Sequence, residues 1–253
     1  MTASISSAVS DMASAAKNLG SRMVDLCYPR DCVACGGPAG VNYRWLCNNC
    51  AGKLPLARAD NCCVSCGRPF EGVVTTLRRC AECEDLKPSW ERGKTLMIYD
   101  GVGARIVRAL KYSGEKCVLE DIRKILLGRD DVLKMLCGTI LVPVPLHSGR
   151  YRERGYNQSE WLAEMFADES GAGICDILVR LRDTGTQTSL DREARRKNVR
   201  GAFAKRKGAR IYAQAEYVLV DDVITTGATL EACAAAMRNA GAEHLAVLTL
   251  AHA

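Results

Sequence analysis

The C-terminal two-thirds of the chain alternates apolar runs with segments of helical periodicity. Apolar runs of strand length predict β-strands over 95–101, 139–146, 217–223 and 245–251. Segments with apolar residues every three or four positions predict helices over 102–114, 157–170 and 227–242. This alternation is typical of a doubly wound α/β fold with a parallel sheet, in which ligands bind at the carboxyl ends of the strands.

The N-terminal third departs from this pattern, because pairs of cysteines interrupt it. The chain has 14 cysteines. Eight of them form C-x-x-C pairs that fall into two quartets: Cys32, Cys35, Cys47 and Cys50, then Cys63, Cys66, Cys80 and Cys83. The strings CVACGGP and CVSCGRP open the two quartets, which indicates a duplicated unit. Four soft thiolates at this spacing suit tetrahedral Zn²⁺.

The cysteine spacing predicts about two zinc ions per chain, both structural, because four thiolates leave no position for a catalytic water. Sequential quartets are the simpler pairing, and the spacing also allows interleaved pairs. Disulfides are the alternative, but residues 1–20 lack the basic start and apolar core of a secretory signal. The remaining single cysteines with apolar neighbours are expected to be buried: Cys117, Cys137, Cys175 and Cys233.

Charge and hydropathy exclude some classes of protein. The formal net charge is +6. Residues 1–95 carry 12 Lys and Arg against 9 Asp and Glu, and 96–253 carry 23 against 20, so the excess is +3 in each part. Basicity spread in this way does not by itself indicate a nucleic-acid-binding protein. No apolar run reaches about 18 residues, so we expect no membrane insertion and a cytoplasmic location.

One strand-to-helix junction carries the most specific chemical signal, YVLVDDVITTGATLEAC at 217–233. The strand ends in Asp221 and Asp222, and a loop of small residues then leads into a helix: Thr225, Thr226, Gly227, Ala228 and Thr229. N–H groups at a helix start bind anions, and carboxylates accept hydrogen bonds from vicinal sugar hydroxyls. The pattern predicts a ribose 5-phosphate site. The alternative is an ordinary turn with a capping threonine.

These motifs together resemble the ComF family, competence-associated proteins with a double zinc ribbon and a type I phosphoribosyltransferase domain. The resemblance covers roughly residues 27–252 and also rests on ALKYSGE, VPVPLHSGRYRERGYNQSEWLA and QTSLDREARRKNVRGAF. It implies a double zinc ribbon at 27–90 and a type I phosphoribosyltransferase-like domain at 91–253. Residues 1–26 lie outside the resemblance, and their Ala/Ser-rich start predicts an N-terminal arm, either mobile or a short amphipathic helix.

The resemblance also implies roles for particular residues. Asp221 and Asp222 would be the catalytic pair that holds the ribose hydroxyls, and the turn at 225–229 would hold the 5-phosphate. The diphosphate loop would follow VPVP: Leu146, His147, Ser148, Gly149 and Arg150. The basic stretch after Arg180 would be the catalytic loop and could close over the site as a lid. Mg²⁺ would bind together with phosphoribosyl diphosphate.

Two functions are therefore expected as alternatives. The first is transfer of a phosphoribosyl group to or from a nitrogen nucleophile, in support of DNA uptake and natural transformation. The second is a non-catalytic module that binds single-stranded DNA, and with it uptake or recombination proteins, through its zinc ribbons and Arg-rich loops. Segment 192–210 has nine Lys and Arg residues, but the ribbons offer few aromatic residues on which bases could stack.

Overall fold

The computed structural model describes residues 30–72, 76–184 and 192–253. The expected N-terminal arm at 1–26 and residues 185–191 of the expected catalytic loop lie outside this part. The chain forms two compact units that divide between Gly52 and Lys53.

The first unit is organised by its cysteine turns. The Cys32 carbonyl accepts a hydrogen bond from the Gly36 N–H at 2.8 Å, and Gly36 has the left-handed φ of 72° that this turn requires. Helix α1 (Asn48–Ala51) follows Cys47, whose sulfur accepts a hydrogen bond from the Cys50 N–H at 3.4 Å. These turns direct the cysteine side chains of the first quartet towards one point.

The second unit is built on a β-sheet. Its strands, within the described ranges, are β1 (Arg92–Ile98), β2 (Ile140–Pro143), β3 (Gly173–Ile174), β4 (Leu178–Arg180), β5 (Phe203–Lys205), β6 (Glu216–Ile224) and β7 (His244–His252). Five of them pair in parallel in the order β1-β7-β6-β2-β3, while β4 and β5 form a separate antiparallel pair. The expected parallel sheet is therefore confirmed.

Helices connect these strands. They are α2 (Ala81–Leu86), α3 (Gly101–Arg108), α4 (Leu119–Leu127), α5 (Asp130–Leu136), α6 (Ser148–Arg154), α7 (Gln158–Ser170), α8 (Arg192–Val199) and α9 (Ala228–Asn239). The helix predicted at 102–114 is divided in the structure. Its first part is α3, and a π-helical turn at Ala109–Ser113 continues it. A short 3₁₀ turn follows at Lys116–Val118. Among the described residues, no helix is long and apolar enough to cross a membrane.

Helices cover both faces of the sheet. Tyr217 and Leu219 of β6 belong to a buried cluster with Leu230 and Met237 of α9. Alternate residues of a strand point to opposite faces, so Val218 and Val220 lie on the other face. Helix α7 packs against β2 and β6 there. The fold is thus the doubly wound α/β arrangement expected from the sequence.

The strand order creates a crevice between β2 and β6. From β2 the chain proceeds to β3 at one edge of the sheet, whereas from β6 it proceeds to β7 in the opposite direction. Such a switch point leaves an opening at the carboxyl ends of the two strands. Pairing between them ends at Pro143 and Val220, immediately before Asp221. The acid pair therefore enters the crevice.

The expectation for the single cysteines is only partly correct. Cys233 is fully buried, whereas Cys117 and Cys175 are half-buried and Cys137 is exposed. Cys137 is the C-cap residue that follows Leu136, the last residue of α5, and its backbone is no longer helical. Its apolar neighbours in sequence therefore did not predict its own environment.

Candidate functional site

Both cysteine quartets form compact groups of four sulfur atoms. In each quartet the sulfur atoms lie within 4.8 Å of one another, and the pairs Cys35–Cys47 and Cys66–Cys80 are each separated by 3.8 Å. Four sulfurs bound tetrahedrally at about 2.3 Å from an ion are about 3.8 Å apart, so both groups fit Zn²⁺. The quartets are sequential rather than interleaved. Because all four donors of each group are thiolates, the two sites are structural.

The crevice of the second unit contains the predicted acid pair. Asp221 and Asp222 are only 8% and 3% exposed, although β6 presents them at the edge of a cleft of about 380 Å³. Buried carboxylates are costly unless other groups compensate them. The partners of these two side chains therefore indicate how the site is built.

Helix α7 supplies neutral hydrogen-bond donors to both carboxylates. Ser159 Oγ donates to Asp221 Oδ1 at 3.2 Å, and Gln158 Nε2 donates to Asp222 Oδ2 at 3.1 Å. Asn157 places these donors: its Oδ1 accepts from the Ser159 N–H at 3.1 Å, and its Nδ2 donates to the Val144 carbonyl at 3.0 Å. The helix cap thus joins the start of α7 to the end of β2.

Lys111 supplies the positive charge beside the pair. Its Nζ lies 3.1 Å from Asp222 Oδ2, and the π-helical turn that carries it is held by a hydrogen bond from Tyr156 Oη to the Lys111 carbonyl at 3.0 Å. Burial opposes the charged form of Lys111, but the carboxylates of Asp222 and Asp221 outweigh it and raise the pKa of the ammonium group. Lys111 therefore stays protonated at the edge of the cleft.

The two carboxylates differ in their electrostatic surroundings. Asp221 has no cation at ion-pair distance among the described residues. Burial and the negative charge of Asp222 raise the pKa of Asp221 to about 7. The pair therefore carries a charge that changes around neutral pH, a property associated with functional carboxyl groups.

Some residues of the turn after β6 line the cleft, and others are buried behind it. Thr225 and Thr229 line the cleft, whereas Gly227 is buried behind them with a left-handed φ of 72°. The Thr226 hydroxyl accepts a weak hydrogen bond from the Ala228 N–H at 3.4 Å, at the start of α9. The first N–H groups of a helix lack acceptors within that helix, so this turn has the donors that an anion requires.

Arginines line another part of the cleft. Leu146 and Arg150 come from the expected diphosphate loop, and Arg180 comes from the end of β4. Arg180 Nη2 donates to Thr184, but the buried Nε of Arg180 has no hydrogen-bond partner in the described structure. Burial lowers the pKa of this guanidinium. A half-buried arginine with an unused donor is suited to bind an anion.

The remaining residues of the expected diphosphate loop lie outside the lining of the cleft. His147, Ser148 and Gly149 are not among the residues that line the cleft. His147 precedes α6 and its Nδ1 accepts a hydrogen bond from the Gly149 N–H at 3.3 Å. It also forms a β-bridge with Arg180, which places that arginine beside the loop.

Sequence reasoning assigned no role to four of the residues that surround the acid pair. Lys111, Gln158 and Ser159 lie in motifs that carry the family resemblance, ALKYSGE and NQSEWLA. Arg180 has no motif of its own. A polar Gln-Ser pair directly after a capping asparagine was the available signal for the first turn of α7.

Comparison with known proteins assigns the two parts of the chain. A family model described as a double zinc ribbon domain matches residues 23–84, and one described as a phosphoribosyl transferase domain matches residues 158–253. Competence protein F of Haemophilus influenzae is 26% identical over 229 residues, covering 88% of this chain and 96% of that protein. DNA utilization protein YhgH of Salmonella typhimurium is 28% identical over 230 residues, covering 89% and 98%.

Similarity to solved structures is weaker. A hypoxanthine phosphoribosyltransferase from Staphylococcus aureus is 14% identical, with a TM-score of 0.32 over 54% of this chain and 64% of that one. The assignment therefore rests on the family models, the sequence relatives and the observed topology. Over most of its length the chain is similar to competence protein F and DNA utilization protein YhgH, and it combines a double zinc ribbon with a phosphoribosyltransferase domain.

Proposed function

We propose that the cleft binds phosphoribosyl diphosphate with Mg²⁺, and that this cytoplasmic protein transfers the phosphoribosyl group to a nitrogen nucleophile during the use of DNA taken up by the cell. The observation that carries the proposal is the buried acid pair at the carboxyl end of β6, which is followed by a turn of small residues that leads into the N-terminus of α9. A physiological role in DNA handling is supported by the names of the relatives, competence protein F and DNA utilization protein YhgH.

The ligand's parts match the residues around the cleft. Asp221 and Asp222 would accept hydrogen bonds from the ribose hydroxyls, and the turn at 225–229 would hold the 5-phosphate. Arg150 and Arg180 would neutralise the diphosphate. In the reaction the bond from C1 to the diphosphate oxygen breaks, with the electron pair leaving on diphosphate, and a bond from C1 to nitrogen forms. The nitrogen then loses its proton to water, and the diphosphate is stabilised by the cationic groups.

Magnesium fits the chemistry of this site. Mg²⁺ binds oxygen ligands and commonly uses one or two carboxylates together with substrate phosphates and water. Asp221 and Asp222 supply such carboxylates within 380 Å³ of open cleft. Magnesium held at Asp221 and Asp222 would help to neutralise the negative charge of the diphosphate, while Lys111, Gln158 and Ser159 orient the two carboxylates.

Calorimetric titration with phosphoribosyl diphosphate and Mg²⁺ tests the proposal. Wild-type protein should bind, and the double variant Asp221→Asn with Asp222→Asn should bind at least about 100-fold more weakly, because hydrogen bonds to charged acceptors contribute about 1.5–3 kcal/mol each. Asp168→Asn is a matched control, since this exposed carboxylate on α7 pairs with Arg123 at 3.5 Å outside the cleft. Absence of binding by the wild type would refute the proposal.

Exposed groups at the rim favour single-stranded DNA binding as the second candidate. Tyr112 and Tyr151 are 69% and 44% exposed, and Arg154 lies 5.6 Å from the Tyr112 ring. Tyr151 stands between Arg150 and Arg152 on α6. Tyrosines interleaved with arginines are the groups that stack on bases and neutralise phosphates.

Salt dependence separates this candidate from the first. Binding of an oligothymidylate should weaken with salt, with a logarithmic slope of about 0.7 for each phosphate that the protein neutralises. Tyr151→Ala should reduce that binding without changing the affinity for phosphoribosyl diphosphate. An oligonucleotide affinity that is the same at low and high salt would contradict this candidate.

A further inference from the structure

The second cysteine quartet is part of the same compact unit as the ligand cleft. Its four cysteines are buried in one cluster with Trp90, with Tyr217 and Leu219 of β6, and with Leu230 of α9. The Val64 carbonyl, inside the first cysteine turn, accepts a hydrogen bond from the Gly93 N–H of β1 at 2.8 Å. The metal site is therefore packed directly on the sheet that carries the acid pair.

One path of contacts leads from the Cys63–Cys66 turn to the turn at 225–229 after β6, the phosphate turn. Ser65 lies between these two cysteines, and its carbonyl accepts a hydrogen bond from Trp90 Nε1 at 2.6 Å. Trp90 is 2% exposed. A Cβ atom placed on Gly227 would lie 3.6 Å from the Trp90 ring, so the ring forms the back of the turn.

A second path leads from the Cys80–Cys83 turn. Both cysteines belong to the start of α2, which ends at Leu86. Leu86 Cδ2 would lie 3.4 Å from a Cβ on Gly227. Ser89 lies three residues after the end of α2. Its N–H and its Oγ both donate to the carboxylate of Glu231, at 2.9 and 2.5 Å respectively. Glu231 lies in the first turn of α9, directly after the phosphate turn.

Both paths end on the segment 227–231, and neither includes a residue that lines the cleft. Gly227 needs its left-handed backbone, and the surfaces of Leu86 and Trp90 close the side away from the ligand. The turn can keep its N–H groups aligned towards an anion only while this support is in place, because a preorganised anion site depends on the rigidity of its backbone.

We propose that the second zinc site positions the phosphate turn, with Leu86, Ser89 and Trp90 as positioning residues, so that loss of zinc from Cys63, Cys66, Cys80 and Cys83 weakens binding of a phosphate monoester. The inference rests on the proposed function in one respect, that the turn takes the 5-phosphate. Coupling of this kind is reciprocal in binding free energy, so a bound phosphate should also raise the affinity of this site for zinc.

Two variants test the inference, with ribose 5-phosphate as the probe. Cys80→Ser removes a zinc ligand, and Leu86→Ala removes a support of Gly227 while keeping all eight zinc ligands. Both should raise the dissociation constant for ribose 5-phosphate by about tenfold, within the usual range of coupling between sites. Leu86→Met should restore the affinity, because it refills the contact. Cys137→Ser, at an exposed cysteine outside both quartets, is the unchanged control.

Amide hydrogen exchange at 225–231 provides a readout that needs no ligand. Exchange should become faster in Cys80→Ser and Leu86→Ala, and should stay at the wild-type rate in Cys47→Ser, which removes zinc from the other compact unit. Wild-type affinity together with wild-type exchange in Leu86→Ala would overturn the inference. A wild type that binds no ribose 5-phosphate, but whose turn exchanges faster on loss of the second zinc, would refute the proposed function and retain the positioning role.

Discussion

Replacing Asp221 with asparagine should stabilise the second unit at neutral and higher pH. Burial and the neighbouring carboxylate of Asp222 raise the pKa of Asp221 from 3.8 to about 7. An asparagine oxygen can accept the same hydrogen bonds, which Ser159 Oγ and the Asp222 N–H donate at 3.2 and 2.9 Å. The substitution thus removes a disfavoured charge and keeps its acceptor.

The magnitude follows from the raised pKa. A carboxyl group with a higher pKa in the folded chain contributes its full stability below the unfolded pKa of 3.8, and loses it as the pH rises through about 7. A rise of about three pKa units corresponds to roughly 4 kcal/mol. Of this, roughly 2–3 kcal/mol is lost between about pH 5 and about pH 8.

Urea unfolding of zinc-saturated wild type and Asp221→Asn at these two pH values measures the effect. Burial lowers the pKa of His252 in both proteins alike, so the difference between the two proteins isolates Asp221. The advantage of the variant should grow by roughly 2–3 kcal/mol from the lower to the higher pH. An advantage that stays constant would refute the reasoning.

Asp222→Asn is the matched control at the adjacent position. It leaves Lys111 Nζ without the carboxylate that lies 3.1 Å away in the wild type. This variant should therefore lower the free energy of unfolding, because a half-buried ammonium loses its partner. Opposite effects from two neighbouring aspartates would exclude a general benefit of removing negative charge.

Three further predictions follow from the site. Arg180→Gln should weaken binding of inorganic diphosphate by about tenfold and leave ribose 5-phosphate affinity within about twofold, since its unused donor lies on β4 rather than in the turn; equal losses by calorimetry would contradict this. Lys111→Met should lower the free energy of unfolding in urea by about 1–3 kcal/mol, because it leaves Asp222 buried without its cation; unchanged stability would be the contrary result. Metal analysis should give about two zinc ions per wild-type chain and one fewer in Cys47→Ser; a wild type without zinc would refute both sites, and one with a single zinc ion would refute one of them.

The sequence predicted those features that depend on local pattern. The strand that ends in Asp221 and Asp222 is a continuous apolar run, and the small residues after it identify the turn without knowledge of the fold. The cysteine quartets are equally local, because two intervening residues suffice to place two sulfurs on one ion. Burial of β2, β6 and β7 on both faces explains why these strands appear as apolar runs rather than alternating ones.

The partners of the acid pair depend on tertiary structure, and pattern alone did not reveal them. Lys111 is 111 residues from Asp222 in the chain, and it reaches the pair because the π-helical turn after α3 directs it into the crevice. Arg180 lies on a three-residue strand with no periodicity to mark it. The support that Leu86 and Trp90 give to Gly227 likewise depends on tertiary structure, because it arises where the second cysteine quartet packs on the sheet.

The energetics of the acid pair bear on which of the two candidate functions requires this cleft. Asp221 destabilises the folded chain above neutral pH, since its charged form is disfavoured by burial and by Asp222. Its surroundings nevertheless hold that carboxylate in one orientation, with Ser159 placed by the Asn157 cap and Lys111 beside the pair. A surface that only gripped single-stranded DNA would use the exposed arginines and tyrosines of the rim, and would gain stability from a neutral residue at 221. A ligand with vicinal hydroxyls, together with Mg²⁺, would offset the cost of the buried charge, so the construction of the pair supports the proposal that the cleft binds a phosphoribosyl group, whether or not DNA also binds at its rim.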